Sequence, residues 1–112
     1  MMRKLSVAAL ILGALTFVVS GNSWAAKSHA AEAAEHAQEA VDHGKQGHAD
    51  VLVKHAEAAL THAEAAQKEK ANPHMAEGVK GLQDAISHGK AGHADVATKA
   101  AEGALMHIKE VK

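Results

Sequence analysis

Ten histidines recur at a regular spacing, and they are the residues of this sequence best suited to chemistry. Seven-residue steps taken outward from two glycine-rich turns, at 44–47 and 89–92, generate twelve positions. Ten of the twelve hold all the histidines of the chain: His29, His36, His43, His48, His55, His62, His74, His88, His93 and His107. The other two positions hold Gly81 and Ala100. Because neutral imidazole is the commonest side-chain ligand of divalent transition metals, we predict that all ten histidines are metal ligands.

The histidines are predicted to work in pairs across two helical hairpins. Residues equally far from the turn of an antiparallel hairpin lie at the same height, which gives five pairs: His43–His48, His36–His55, His29–His62, His88–His93 and His74–His107. Gly81 and Ala100 share the level that lacks histidine, so a pair is kept or lost as a whole. Side chains seven residues apart on one helix are separated by about 10.5 Å, so an ion is expected to be shared between helices. The hand of each hairpin decides whether the paired edges face each other, and it stays open at this point.

The donor atoms favour copper among the transition metals. Imidazole sites completed by oxygen donors suit Cu(II), Ni(II) and Zn(II), and the general affinity order places copper highest. Acidic side chains one turn from a histidine could complete a coordination shell or orient a ring: Glu32, Glu39, Glu77, Asp84 and Glu110. Two imidazoles with water or a carboxylate make an open, exchangeable site. Its affinity is expected to fall below about pH 6.5, because protons compete for imidazole nitrogens.

Four helices are predicted to carry the histidines, because alanine, glutamate and lysine dominate after residue 27. Apolar residues at three- and four-residue spacings place the helices at about 29–43, 48–68, 73–88 and 93–111. Gly44 and Gly89 are expected to end the first and third helices. Asn72-Pro73 is a strong start signal for the third. That helix is expected to bury Met75, Val79, Leu82 and Ile86.

An internal repeat defines the expected architecture. Residues 39–64 align without gaps with residues 84–109, and 15 of the 26 positions are identical. The predicted fold class is all-α, an antiparallel up-down four-helix bundle built from a duplicated helical hairpin, with hairpins at about 28–68 and 73–111. A hairpin that dimerises and an open helical array are the alternatives. The alanine-rich stripes allow close helix approach and favour the compact, monomeric bundle.

The first 25 residues are predicted to be a cleavable signal peptide. Arg3 and Lys4 precede an apolar run at 5–19, and Ser23-Trp24-Ala25 fits the small-x-small cleavage rule. Residues 26–112 would then form the mature, periplasmic domain, while an uncleaved N-terminal anchor is the alternative. Cleavage one residue later would leave Lys27-Ser28-His29 as a terminal Cu(II) or Ni(II) chelate. The chain has no cysteine, which excludes disulfides and lipid attachment.

Composition excludes several classes of function. Loss of Arg3 and Lys4 with the leader leaves ten lysines against 13 acids, a formal charge of −3 with neutral histidines. Nucleic-acid binding is therefore disfavoured, and we expect no membrane association after cleavage. No nucleophile constellation or haem attachment motif is present, so we expect no enzymatic activity. Passive copying of histidines in a structural or stress-response bundle and a pH-responsive role are the alternatives to metal binding. A thioether contribution from Met75 and Met106 to Cu(I) binding is another.

The seven-step histidines, the Gly-Lys-x-Gly-His turns and the leader together resemble the periplasmic small metal-binding protein family. The resemblance covers the whole mature chain and is strongest over 43–62 and 88–101. It implies a histidine-rich antiparallel four-helix bundle that binds copper and other divalent metals without catalysis. Glu77, Gly81 and Ala100 stand where further histidines are expected, which implies a lower capacity in the second hairpin.

Overall fold

The structure is a computed structural model, and it describes residues 27–111. The predicted signal peptide lies outside the described residues. Four helices follow one another: α1 at His29–Lys45, α2 at Ala49–Glu69, α3 at Pro73–Lys90 and α4 at Ala94–Lys109. No strand occurs within residues 27–111. No helix in this range is long and apolar enough to cross a membrane.

The starts of α1 and α3 are fixed by side-chain caps. The Ser28 hydroxyl accepts a hydrogen bond from the Ala31 backbone N–H at 3.1 Å. Asn72 Oδ1 accepts from the backbone N–H groups of His74 and Met75, at 2.8 and 3.4 Å, and Pro73 occupies the first helical position. The predicted Asn-Pro start signal is confirmed. Each cap satisfies N–H groups that would otherwise lack a partner at a helix end.

The ends of α1 and α3 differ from the prediction. Gly44 and Gly89 lie inside their helices, which continue to Lys45 and Lys90. The left-handed backbone belongs instead to the second glycine of each turn, Gly47 and Gly92, both with φ 84°. A Cβ at Gly44 would overlap the Thr98 side chain and stand 2.6 Å from Leu52 Cδ1. The first glycine is therefore required by helix packing, and the second by the turn.

The helices form a four-membered ring in chain order. α1 packs against α2 and α4, α3 packs against α2 and α4, and the two diagonal pairs have few contacts. With short turns between neighbours, this is an up-down antiparallel bundle, as predicted. Among the few large fully buried side chains are Val41, Leu52, Met75 and Leu82, and alanine supplies most of the remaining core.

Val79 and Ile86 are only partly buried, contrary to the expectation that both lie in the core. Leu60 of α2 and Val111, which follows α4, are also only partly buried. Alanine-rich faces bring the helices close together and leave a narrow interior. Apolar side chains at the edges of a stripe therefore reach the surface of the bundle.

The repeat is visible in the contacts between the two hairpins. Lys45 pairs with Glu102 at 3.6 Å, and Lys90 pairs with Glu57 at the same distance. The second pair occupies the positions reached by shifting each partner by 45 residues. Both pairs are substantially exposed, so each contributes little to stability. Their equivalent positions indicate that the two hairpins pack against each other with approximate twofold symmetry.

Candidate metal centre

The five predicted histidine pairs face each other across the two hairpins. Their ring centroids lie 5.3 to 6.4 Å apart: His29–His62 (5.3 Å), His36–His55 (6.1 Å), His43–His48 (6.2 Å), His74–His107 (5.9 Å) and His88–His93 (6.4 Å). Each hairpin therefore has the hand that turns its two histidine edges towards each other. This was the point that the sequence left open.

In the first hairpin, neighbouring pairs are themselves in contact. The rings of His36 and His62 stack at 5.6 Å with an interplanar angle of 6°, and those of His43 and His55 stack at 5.2 Å and 3°. Six rings thus form one continuous row, which we call the imidazole ladder, in the order His29, His62, His36, His55, His43 and His48. The sequence analysis did not predict the contacts between neighbouring pairs, in which His36 and His43 each contact two rings on the opposite side of the hairpin.

Two rings are joined by a hydrogen bond at the open end of the ladder. His29 Nδ1 and His62 Nδ1 lie 3.0 Å apart, so one nitrogen donates and the other accepts. Glu69 Oε2 lies 3.7 Å from His29 Nε2 and was missed in the sequence analysis. A signal for it exists, since Glu69 stands one further seven-residue step beyond His62. The seven-residue series of His48, His55 and His62 therefore continues to a carboxylate that lies beside His29.

The second hairpin holds two separate pairs. Within residues 27–111, no histidine ring contact joins His74–His107 to His88–His93, because Gly81 and Ala100 occupy the level between them. The close packing of α3 against α4 at Gly81 leaves no room for a histidine at this level. A Cβ at Gly81 would lie 2.9 Å from Ala104 Cβ and 3.1 Å from Ala104 Cα. A side chain at this position would therefore force the two helices apart.

Carboxylates complete two groups of three possible ligands in the ladder. Glu39 Oε1 lies 3.0 Å from His55 Nδ1 and 3.6 Å from His36 Nδ1, so it bridges the two helices. The groups are Glu32, His36 and His62 on one side and His36, Glu39 and His55 on the other, each with ligand atoms within 4.8 Å of one another. These are the groups found in the described part of the chain.

The remaining acids do not take up the expected positions. Glu77, Asp84 and Glu110 belong to no such group within residues 27–111, so the predicted carboxylate support of the second hairpin is absent there. Glu35 is held by the Lys27 ammonium, and this hydrogen bond raises the pKa of Lys27 above its ordinary value. Glu35 belongs to neither group of possible ligands.

Burial also distinguishes the ladder from the isolated pairs. Five of its six histidines are half-buried and His48 is exposed, whereas in the second hairpin only His107 is half-buried. His36 Nδ1 and His43 Nδ1 are buried without a hydrogen-bond partner among the described residues. A buried polar atom left without a partner costs about 1–3 kcal/mol. A cation bound to either nitrogen would remove that cost.

The donor sets fit a transition-metal ion. Two ligands bound to one Zn(II) at about 2.1 Å each can stand no more than about 4.2 Å apart. Ligand atoms within 4.8 Å need only small side-chain movements to close around an ion. Two imidazoles and one carboxylate leave a coordination position open for water or an exchanging ligand. Met75 is buried in the core, 1% exposed, whereas Met106 is 69% exposed on the surface.

An up-down bundle with imidazole pairs and mixed imidazole–carboxylate groups defines the class of protein, a histidine-rich helical bundle suited to metal ions. The model of the family described as small metal-binding protein matches residues 2–111. The chain belongs to the small metal-binding protein family, which confirms the predicted resemblance. Comparison with curated proteins gives no match.

Proposed function

We propose that this protein binds and buffers divalent transition metals in the periplasm, with copper favoured over nickel and zinc. The observation that carries the proposal is the imidazole ladder, in which His36 has a buried, unpartnered Nδ1 and belongs to both groups of possible ligands. A structural bundle would gain nothing from leaving such an atom without a partner. Membership of a metal-binding family supports the same conclusion.

Buffering is favoured over permanent metal storage because the sites are open. The His36 and His55 side chains are 30% and 29% exposed and that of Glu39 is 54% exposed, so water and competing ligands can reach a bound ion. Protons compete with metal for imidazole nitrogen, so acidification is expected to release the ions. We propose binding without catalysis, since no chemistry beyond reversible coordination is needed to explain the arrangement. Export through the residue 1–25 leader is part of the proposal, and N-terminal mass analysis of the secreted protein tests it.

The test is isothermal titration of the protein with Cu(II), Ni(II) and Zn(II), compared with the variants H36Q and H36Q/H55Q. Each metal is expected to bind, with copper tightest, and H36Q alone is expected to lose as much binding as the double variant. E35Q is the matched control, because Glu35 is engaged by Lys27 and lies outside both ligand groups. If none of the three metals binds, the result would support a structural or stress-response bundle instead.

A further inference from the structure

We infer that the two groups of three ligands in the ladder are alternative positions of a single ion and not two independent sites. This inference rests on the proposed function. Both groups contain His36: Glu32 and His62 join it on one side, and Glu39 and His55 join it on the other. An ion in either group therefore uses the same imidazole.

The geometry places His36 between two equivalent partners. Its ring lies 5.6 Å from that of His62 and 6.1 Å from that of His55, both on α2. The two carboxylates come from α1 itself, one turn before and one turn after His36. Each side of the ring thus offers one imidazole from the opposite helix and one carboxylate from its own helix.

The chemistry of imidazole makes the two positions mutually exclusive. A neutral imidazole has one nitrogen with a free lone pair, and its other nitrogen carries a proton. His36 can therefore donate to one ion at a time unless it loses its second proton and bridges two ions. Two divalent cations on opposite sides of one ring would also repel each other strongly in a half-buried site.

A shared ligand gives the ladder a property that isolated pairs lack. An ion that loses Glu39 and His55 can move to Glu32 and His62 and bind His36 again there. If it changes from one ring nitrogen to the other, the ring proton moves to the nitrogen that the ion has left. Removing one position then leaves the ion bound at the other. The ion is lost only when both positions, or the ring that they share, are removed.

The test counts Cu(II) ions bound per chain, by titration and by metal analysis after gel filtration, in E32Q, E39Q, E32Q/E39Q and H36Q. Each single glutamate variant is expected to keep the wild-type number of ions, with affinity lowered about two- to tenfold. The double variant and H36Q are each expected to lose one ion. Loss of two ions in H36Q, or of one ion in each single variant, would show independent sites and overturn the inference.

Matched controls come from the second hairpin. Glu77 and Asp84 occupy the positions equivalent to Glu32 and Glu39, but Gly81 replaces the shared ring. E77Q and D84N are therefore expected to leave the number of ions unchanged, singly and together. Circular dichroism of every variant verifies that the bundle is folded. If the wild-type protein binds no Cu(II), the proposed function fails; if it binds but the losses add independently, only the shared position fails.

Discussion

The two hairpins are copies of one sequence unit, yet they arrange their histidines differently. In the first, six rings form a continuous, mostly half-buried ladder with two carboxylates beside it. In the second, two pairs stand apart and three of their four rings are exposed. The difference arises at one level, where Gly81 and Ala100 replace His36 and His55. A single substituted pair thus separates a connected row of ligands from two isolated ones.

The comparison also shows what replaces the missing pair. Gly81 allows α3 to approach Ala104 of α4 so closely that no Cβ fits between them. The equivalent residues of the first hairpin are His36 and Ala59. The second hairpin therefore gains helix contact where the first holds ligands. Four predictions test this contrast, in order of decreasing effect.

The largest effect is expected from removing the ring at the centre of the ladder. H36Q should weaken Cu(II) binding in the first hairpin at least tenfold. Removing a residue that only orients a metal ligand already lowers metal affinity by about tenfold to a hundredfold. H88Q should affect only its own pair, because no ring contact joins it to His74–His107 in the described chain. Histidine ring signals in NMR spectra, followed during titration with Zn(II), separate these cases. If H88Q perturbed the signals of as many histidines as H36Q does, the predicted difference between the two hairpins would be contradicted.

The close helix approach at Gly81 predicts opposite results for two glycine substitutions. G81A is expected to lower the free energy of unfolding by about 1 kcal/mol, since overpacking costs about 1–3 kcal/mol and alanine in a helix contributes about 1 kcal/mol. G103A is expected to raise it by about 1 kcal/mol, because nothing lies within 4 Å of a Cβ at that position. Urea unfolding measures both. Stabilisation by G81A would show that the helices do not touch there.

The caps that open the two hairpins should differ in strength. Asn72 accepts from two backbone N–H groups and Ser28 accepts from one. N72A is therefore expected to cost about 1 kcal/mol of stability, and S28A somewhat less. Thermal unfolding of both variants under one set of conditions gives the comparison. A larger loss in S28A would reverse the expected order.

The smallest effect is expected from the ion pairs between the hairpins. E57Q and E102Q each remove one partner of an exposed lysine–glutamate pair. Each should change stability by less than about 1 kcal/mol, and by similar amounts, because the two pairs are equivalent in the repeat. Salt titration of the unfolding midpoint tests the screening expected of surface charges. A clear difference between the variants would mean that the hairpins do not pack symmetrically.

The histidine pairs could be predicted from the sequence because they depend only on helix periodicity and on equal distance from a turn. The stacking of His36 on His62 could not, since it depends on how side chains lean between levels and on the spacing of the helices. The Gly44 prediction failed for a related reason. Two glycines flank each turn, and the first is required by packing against residues that follow the turn or lie in the other hairpin: Thr98 and Leu52 for Gly44, and Val53 for Gly89. The half-burial of Val79 and Ile86 likewise follows from the narrow spacing of alanine-rich faces.

The narrow core has a consequence for the behaviour of the bundle in the presence of metal. Few large side chains hold α1 to α2, and alanine contributes little apolar area per contact. An ion coordinated from both helices would act as a reversible cross-link that the unfolded chain cannot form to the same extent. The melting temperature of this protein should then rise with free metal concentration, so the folded bundle would report how much metal surrounds it.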